Sequence, residues 1–209
     1  MIAPTVYVVD DDISVRESLE LMIRHEGWRV ETFPTAHDFL EYAREPGPGC
    51  LVLDVQLPDL NGLELQDRMS SDQLTMPILF ITGYGDVPMT VRAMKGGALE
   101  VLTKPFRDDE LREAIRGALL RSEAAMSREA ASRGLAEVYS TLSRREREVM
   151  ALVVAGRLNK QIGAELGISE ITVKAHRGRV MRKMNAASLA DLVTIAARLR
   201  QSTTSTSAA

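Results

Sequence analysis

The sequence contains few cysteine and aromatic residues. It has a single cysteine, Cys50, and aromatic residues make up 4% of the chain. One cysteine excludes an internal disulfide. Because Cys50 lies in an apolar run, we interpret it as a small core residue, which fits a reducing compartment. His25 and His37 are too scattered in sequence to suggest a metal site.

Long apolar runs are also absent. No run reaches the length of a membrane span, and the first residues lack the basic and apolar segments of a signal peptide. We therefore expect a cytoplasmic protein with no membrane partner. With 209 residues, 45% of them hydrophobic, the chain can form one large or two modest domains with real cores.

The formal net charge of −3 conceals two halves of opposite sign. Residues 1–120 carry 21 acidic and 11 basic side chains, whereas residues 121–209 carry 8 and 15. The basic half could meet a polyanion. Chance surface bias is the alternative, and charge alone does not decide between them.

The first half alternates short β-branched runs with helical patterns. Strands are expected at Thr5–Val9, Arg29–Thr32, Leu51–Leu53, Ile78–Ile81 and Leu99–Leu102. Helices are expected at about 13–26, 35–45, 61–72, 86–96 and from 108 onward. Five βα units predict an open parallel sheet with helices on both faces, in which chemistry collects at the carboxyl ends of the strands.

The second half is predicted to be helical. Residues 122–140 either continue the preceding helix or form a looser linker, and Gly134 weakens the helical pattern. Further helix starts are indicated by a capping box at Ser143–Glu146, by Asn159, by Ser169 and by Ser188–Asp191. The polar tail 202–209 is expected to be disordered.

Polar side chains follow four of the predicted strands. Asp10, Asp11 and Asp12 follow the first, Asp54 the third, Thr82 the fourth and Lys104 the fifth. Clustered carboxylates favour a hard cation such as Mg²⁺. A carboxylate, a cation site, a hydroxyl and an ammonium group suit phosphoryl transfer. Taken singly, each residue is better explained as an ordinary loop or surface group, but their joint placement favours a site.

Four segments resemble the signature blocks of response-regulator receivers, over roughly residues 4–120. The segments are Val8–Asp12, Leu53–Gly62, Ile81–Gly83 and Thr103–Phe106, and Thr82–Met89 is similar to the FixJ-type branch. The resemblance implies a flavodoxin-like α/β fold with a five-stranded parallel sheet and a sensor histidine kinase as partner.

The same resemblance implies a role for each residue. Asp54 is the phosphoacceptor, and Asp11, Asp54 and the Gln56 carbonyl ligate Mg²⁺, with Asp10 acting through water. Thr82 contacts the phosphoryl group and Lys104 pairs with it. Many receivers carry an aromatic residue at the position of Val101, so this chain departs from the usual coupling of threonine to an aromatic ring.

The predicted helix from about Glu170 to Met184 has an apolar side and many basic residues. Val173, Val180 and Met184 share one face, and the cations are Lys174, Arg177, Arg179, Arg182 and Lys183. His176 lies on the packed side and is interpreted as a satisfied structural histidine. An amphipathic helix with a solvated charged face is the alternative to a helix that enters the major groove.

Three further segments resemble the LuxR-type helix-turn-helix, over about residues 142–200: Leu142–Val149, Asn159–Gly163 and Ile171–Arg177. The resemblance implies a C-terminal all-α four-helix domain that binds double-stranded promoter DNA and works with RNA polymerase. It places Lys174, Ala175 and Gly178 towards the groove and Lys160, Thr172 and Arg177 on phosphates, with Arg179 and Arg182 as neighbouring contacts.

The resemblance also implies a homodimer when phosphorylated. Its expected contacts are Val91, Lys95 and Val101 in the receiver and Leu189, Leu192 and Val193 in the last helix, although core packing could explain that last stripe. The expected domains are a receiver (1–121), a linker helical in part (122–141), the DNA-binding domain (142–201) and the tail.

The leading hypothesis is a phosphorylation-gated transcription factor whose only catalysis is its own phosphotransfer and dephosphorylation. An aspartyl-phosphate phosphatase is a second hypothesis, but that class places an aspartate two residues after the nucleophile, where this chain has Gln56. A receiver that serves only for docking is a third. The intact set of pocket residues disfavours it.

Overall fold

The structure is a computed structural model that describes residues 3–72 and 74–206. Internal contacts divide the chain into two units, Met1–Ser127 and Arg128–Ala209. None of the helices in the described ranges is long and apolar enough to cross a membrane.

The first unit is built on a five-stranded sheet in which every pairing is parallel, as predicted. The strands are β1 (Thr5–Val9), β2 (Arg29–Phe33), β3 (Gly49–Asp54), β4 (Ile78–Thr82) and β5 (Glu100–Thr103), in the order β2-β1-β3-β4-β5. The helices are α1 (Ile13–His25), α2 (Ala36–Glu41), α3 (Gly62–Ser71), α4 (Val87–Lys95) and α5 (Asp108–Ser140). The predicted flavodoxin-like fold with a five-stranded parallel sheet is thereby confirmed.

Neighbouring residues of each strand face opposite sides of the sheet and supply two separate cores. Phe80 of β4 belongs to one core, with Phe39 of α2 and Leu65 of α3. Ile81, the next residue, belongs to the other core, with Ile23 of α1 and further residues of α5. Because both faces of β3 and β4 are covered, these two strands are buried throughout.

Helix α2 is shorter than the predicted 35–45. It ends at Glu41 because Tyr42 adopts an extended conformation and packs its ring edge-on against Tyr7 and Phe33, with ring centroids 6.3 and 5.2 Å apart. The aromatic contacts thus replace another helical turn, and Pro46 disfavours helix in the residue before it.

Helix α5 includes all of residues 122–140, so the helical alternative for that segment is the one observed. Within the first unit, buried Ser122 accepts a hydrogen bond from the Gly49 amide at 3.1 Å. Within the second unit, Leu135 and Tyr139 pack against its core. Most side chains of α5 between Glu123 and Arg133 are exposed.

Up to residue 206, the second unit contains four further helices: α6 (Arg144–Val154), α7 (Asn159–Leu166), α8 (Glu170–Lys183) and α9 (Leu189–Thr206). The capping box at Ser143 and Glu146 and the cap at Ser169 are confirmed. Gly167 ends α7 in the left-handed conformation with φ 66°. Because α9 extends to Thr206, the expectation of a disordered tail from Ser202 is wrong for residues 202–206. Residues 207–209 lie outside the described residues.

Candidate functional site

The strand register brings the predicted acidic residues together at the carboxyl edge of the sheet. Val9 of β1 pairs with Leu53 of β3, so Asp10 and Asp54, one residue further on, lie side by side. Carboxylate oxygens of Asp10, Asp11 and Asp54 lie within 4.8 Å of one another. Asp10 is fully buried and Asp54 is 6% exposed, whereas Asp11 is exposed.

Lys104 lies between the two buried carboxylates. Its Nζ donates to Asp10 Oδ2 at 2.7 Å and to Asp54 Oδ2 at 2.6 Å. Burial opposes the charge of Lys104, but the two carboxylates raise the pKa of this ammonium group. Burial raises the pKa of Asp10, although hydrogen bonds from Lys104 and the Asp12 amide offset part of the effect. The Lys104–Pro105 peptide bond is cis.

The backbone around Asp54 is closely fitted. The Gln56 amide donates to Asp54 Oδ1 at 2.9 Å and fixes the second carboxylate oxygen, while the Gln56 side chain is exposed. A Cβ added to Gly62 would lie 2.4 Å from the Asp54 carbonyl oxygen. Only glycine therefore permits α3 to begin so close to the end of β3.

Thr82 is fully buried at the end of β4 and bonds to the main chain of the next loop. Its Oγ1 accepts from the Tyr84 amide at 3.2 Å and lies 3.3 Å from the Tyr84 carbonyl oxygen, to which it donates. Val101 of β5 is half-buried and packs against the core that contains Phe80. This position therefore has no aromatic ring that could exchange places with the threonine.

The sequence did not predict the hydrogen bonds that two further aspartates make near the pocket. Asp12 caps α1 by accepting from the Ser14 amide at 2.8 Å. Asp59, in the loop after β3, accepts from the amides of His37 at 2.9 Å and Ala36 at 3.2 Å, at the start of α2. Slight burial acts against it, but these amides lower the pKa of Asp59. The spacing of Asp12 before a helical pattern was an available capping signal, whereas the contact of Asp59 depends on tertiary structure.

In the second unit, α8 has a buried side and an exposed basic side. Val173, Val180 and the following Met184 are at most 3% exposed. Lys174 has a side chain 66% exposed and lies 3.7 Å from Glu170. The other exposed residues that were predicted to face DNA are Lys160, Ala175, Gly178, Arg179 and Arg182, and Thr172 is half-buried.

Two of the predicted cations on α8 are held by partners in their own unit. Half-buried Arg177 donates to Asn159 Oδ1 at the start of α7, at 2.7 Å. Lys183 donates to Glu146 Oε2 at 2.7 Å and to the Thr141 carbonyl at 2.9 Å. Glu146 is 4% exposed, and its hydrogen bonds from Lys183 and the Ser143 amide lower its pKa to about 2. These contacts fix α8 against α6 and α7.

The predicted association residues have different exposures. Val91 and Lys95 are exposed on α4, and Leu189 and Val193 are exposed on α9. The prediction that Leu192 is a dimer contact is wrong, because Leu192 is 1% exposed and packs in the core of its own unit.

The interpretation of His176 as a satisfied histidine also needs correction. His176 is half-buried on α8, as expected for its packed side, but its Nδ1 is buried and has no hydrogen-bond partner among the residues that the structure describes.

Known proteins resemble the chain over both units. Residues 6–116 match the response regulator receiver domain, and residues 140–196 match the luxR family of bacterial regulatory proteins. Nodulation protein W of Bradyrhizobium diazoefficiens is 50% identical over 90% of this chain and 83% of its own length. Response regulator protein TodT of Pseudomonas putida is 44% identical, over 96% and 88%.

Solved structures of response regulators also resemble this chain over most of its length. The response regulator StyR superimposes with a TM-score of 0.85 at 46% identity, covering 94% of this chain and 100% of that one. Full-length FixJ from B. japonicum gives a TM-score of 0.57 at 43% identity, with 94% and 97% coverage. Receivers of this family bind Mg²⁺ at an acidic pocket, which here corresponds to Asp10, Asp11 and Asp54. The chain belongs to the two-component response regulators that regulate transcription through a LuxR-type DNA-binding domain.

Proposed function

We propose that this response regulator is switched by phosphorylation of Asp54. A carboxylate oxygen of Asp54 attacks the phosphorus of a phosphohistidine on a sensor histidine kinase. A P–O bond forms, the P–N bond breaks, and the imidazole leaves with a proton. The observation that carries this proposal is the position of Lys104, 2.6 Å from Asp54 and 2.7 Å from Asp10.

The donor set suits Mg²⁺. Asp10, Asp11 and Asp54 offer only oxygen ligands within 4.8 Å of one another, which is the chemistry a hard cation prefers. When bound, the ion supplies charge neutralisation for the carboxylates and the phosphoryl oxygens. Direct ligation by Asp11, Asp54 and the Gln56 carbonyl is part of the proposal, with Asp10 acting through water. The chain's own hydrolysis of the acyl phosphate resets the switch.

Thr82 can transmit the change without an aromatic partner at Val101. Its hydroxyl bonds to both main-chain polar groups of Tyr84. If the hydroxyl turns to the phosphoryl group, both bonds to the loop before α4 are lost. A Cβ on Gly85 would lie 2.5 Å from the Thr103 side chain, so the same loop also passes close to β5. The loop thereby links the pocket to α4 and β5.

Helix α4 presents an apolar surface that suits receiver association. Tyr84 is 81% exposed, Val87 76%, Val91 44% and Met94 47%. The three helical positions follow one face of α4. Two phosphorylated receivers that meet through this face, with Lys95 and Val101 beside it, bring two DNA-binding units together and raise their effective concentration. Leu189 and Val193 of α9 provide a second, smaller contact between the DNA-binding units.

The second unit then reads promoter DNA through α8. Its exposed side carries Lys174, Ala175, Gly178, Arg179 and Arg182. In this proposal, Lys160 near the start of α7 and Thr172 near the start of α8 contact phosphates. Arg177 chiefly positions α8 through Asn159. Binding to a promoter places the protein where it can recruit or hinder RNA polymerase.

Phosphorylation of the full chain by acetyl phosphate, followed by intact-mass measurement and light scattering, tests the proposal. The wild-type protein should gain one phosphoryl group and dimerise, whereas Asp54→Asn should do neither because an amide is a poor nucleophile. Asp67→Asn is the matched control. Asp67 is an exposed carboxylate outside the pocket that pairs with Arg92 of α4 at 3.1 Å, and this variant should gain one phosphoryl group like the wild type.

A phosphoryl group on Asp54→Asn would move the site elsewhere. If wild-type protein is phosphorylated and gains DNA affinity while remaining monomeric, association through α4 is wrong. Val91→Asp separates the two steps. It should retain phosphorylation and lose dimerisation, because a carboxylate replaces an apolar contact on the association face.

A further inference from the structure

Ile171 is the most exposed large apolar side chain of the DNA-binding unit. It is the second residue of α8 and is 81% exposed. Single exposed apolar residues are common on protein surfaces. The position of Ile171 on α8, and the residues that share its face, give it a more specific meaning.

The geometry of α8 places Ile171 opposite the packed side of the helix. At about 100° per residue, Ile171 lies about 160° around the axis from buried Val173, whereas Val180 lies only about 20° from Val173. Ala175, Gly178 and Arg182 project from the same side as Ile171, and all three are exposed. The exposed face of α8 therefore begins with apolar Ile171, beside Lys174, and ends with Arg182.

The same face permits a close approach to DNA. Ala175 has a one-carbon side chain, and a Cβ added to Gly178 would meet no described atom beyond its own helical turn within 4 Å. In a helix-turn-helix, the first residues of the recognition helix meet the base edges in the major groove. Because Ala175 and Gly178 project so little, Ile171 can reach the groove floor beside Lys174.

The apolar group that base pairs present in the major groove is the C5-methyl of thymine. We infer that Ile171 reads a thymine methyl group, next to the base contacted by Lys174. The inference rests on the proposed insertion of α8 into the major groove. It makes Ile171 a specificity-determining residue that adds no charge to the interface.

Replacement of thymine by deoxyuridine removes this one methyl group and keeps the hydrogen-bonding edge. The full chain, activated with beryllofluoride, is first used to select its site from random duplexes. Each thymine of a half-site is then replaced singly by deoxyuridine, and binding is measured by fluorescence anisotropy. At one thymine per half-site, the wild-type protein should lose about threefold to fivefold in affinity, as expected for one buried methyl group.

The variants identify the residue that is responsible. Ile171→Ala should bind the thymine and deoxyuridine duplexes equally well, and Ile171→Val should keep part of the discrimination. Leu158→Ala is the control, because Leu158 is another exposed apolar residue of the same unit, at 69%, and it should keep full discrimination. All variants should keep the wild-type salt dependence, since no charge is altered.

The inference is overturned if Ile171→Ala still binds the selected site and responds to the loss of each thymine methyl group as the wild-type protein does. Equal loss of discrimination in Leu158→Ala would also overturn it. Failure to select any DNA site would instead refute the proposed function, and the inference with it.

Discussion

Replacing Glu146 by glutamine should destabilise the DNA-binding unit by removing one buried charge without changing side-chain size. Glu146 accepts from the Ser143 amide at 2.8 Å and from Lys183 at 2.7 Å, through the same oxygen. Glutamine can still cap α6, since its side-chain carbonyl accepts a hydrogen bond. The lost interaction is therefore the charged one with Lys183, which holds α8 against α6.

The expected loss is about 1–2 kcal/mol in the free energy of unfolding. Hydrogen bonds to charged groups contribute about 1.5–3 kcal/mol, and the Lys183 side chain is 39% exposed, so water screens part of this interaction. Glu148→Gln is the matched control. Its carboxylate is shared by Arg144 and Arg145 on the surface of the same helix, and such exposed pairs contribute little.

The sign of the pH dependence follows from the pKa of Glu146, which is about 2 in the folded protein and 4.5 ordinarily. The folded state binds fewer protons in this range, so the stabilisation is fully present above about pH 4.5 and is lost as pH falls towards 2. The difference between wild type and Glu146→Gln should therefore be large near about pH 6 and clearly smaller near about pH 3, where the carboxylate of the folded protein is still mostly ionised.

Urea unfolding of the full chain can separate the two units. The chain has one tryptophan, Trp28, which packs in the first unit, whereas far-ultraviolet circular dichroism follows the helices of both. Glu146→Gln should shift the circular dichroism transition and leave the tryptophan transition unchanged. A stability difference that stays constant from about pH 6 to about pH 3 would refute the role of the charge.

Two further substitutions test close packing and buried hydrogen bonds. Gly163→Ala should destabilise the second unit by about 1–3 kcal/mol, because the new Cβ would lie 2.7 Å from the Ile168 carbonyl oxygen. Gly134→Ala should be neutral or stabilising in the same urea titration followed by circular dichroism, because its Cβ would meet no described atom beyond its own helical turn within 4 Å. Ser122→Ala should cost the first unit about 1–3 kcal/mol by leaving the Gly49 amide unpaired, measured by tryptophan fluorescence in urea; an unchanged midpoint would contradict this.

The sequence predicted the sheet and the pocket because both depend on local patterns. Runs such as Thr5–Val9 identify the strands, and a polar residue directly after a strand is fixed at the edge of a parallel sheet. Asp10, Asp54 and Lys104 therefore meet as predicted. The end of α2 could not be predicted in this way, because it depends on the packing of Tyr42 against rings from two distant strands.

Contacts between distant residues also decided which members of a pattern remain available for binding. The apolar stripe of α9 predicted a surface that could serve association. In the structure, Leu192 is buried in the core of the unit, whereas Leu189 and Val193 are exposed. A helical spacing identifies a face, whereas the exact orientation of that face depends on the helices packed beside it.

Contacts within the unit also distinguish the cations of α8 from one another, and they change the salt dependence expected for DNA binding. Counted from sequence, Arg177 and Lys183 are as available to phosphates as Lys174. In the structure, Arg177 is committed to Asn159 and Lys183 to Glu146, and both partners lie within the same unit. Each phosphate contact adds about 0.9 to the slope of log affinity against log salt concentration. The salt dependence of DNA binding by one unit should therefore reflect the exposed cations of α8. Arg177 and Lys183 should instead affect the affinity for DNA indirectly, because they fix the position of α8.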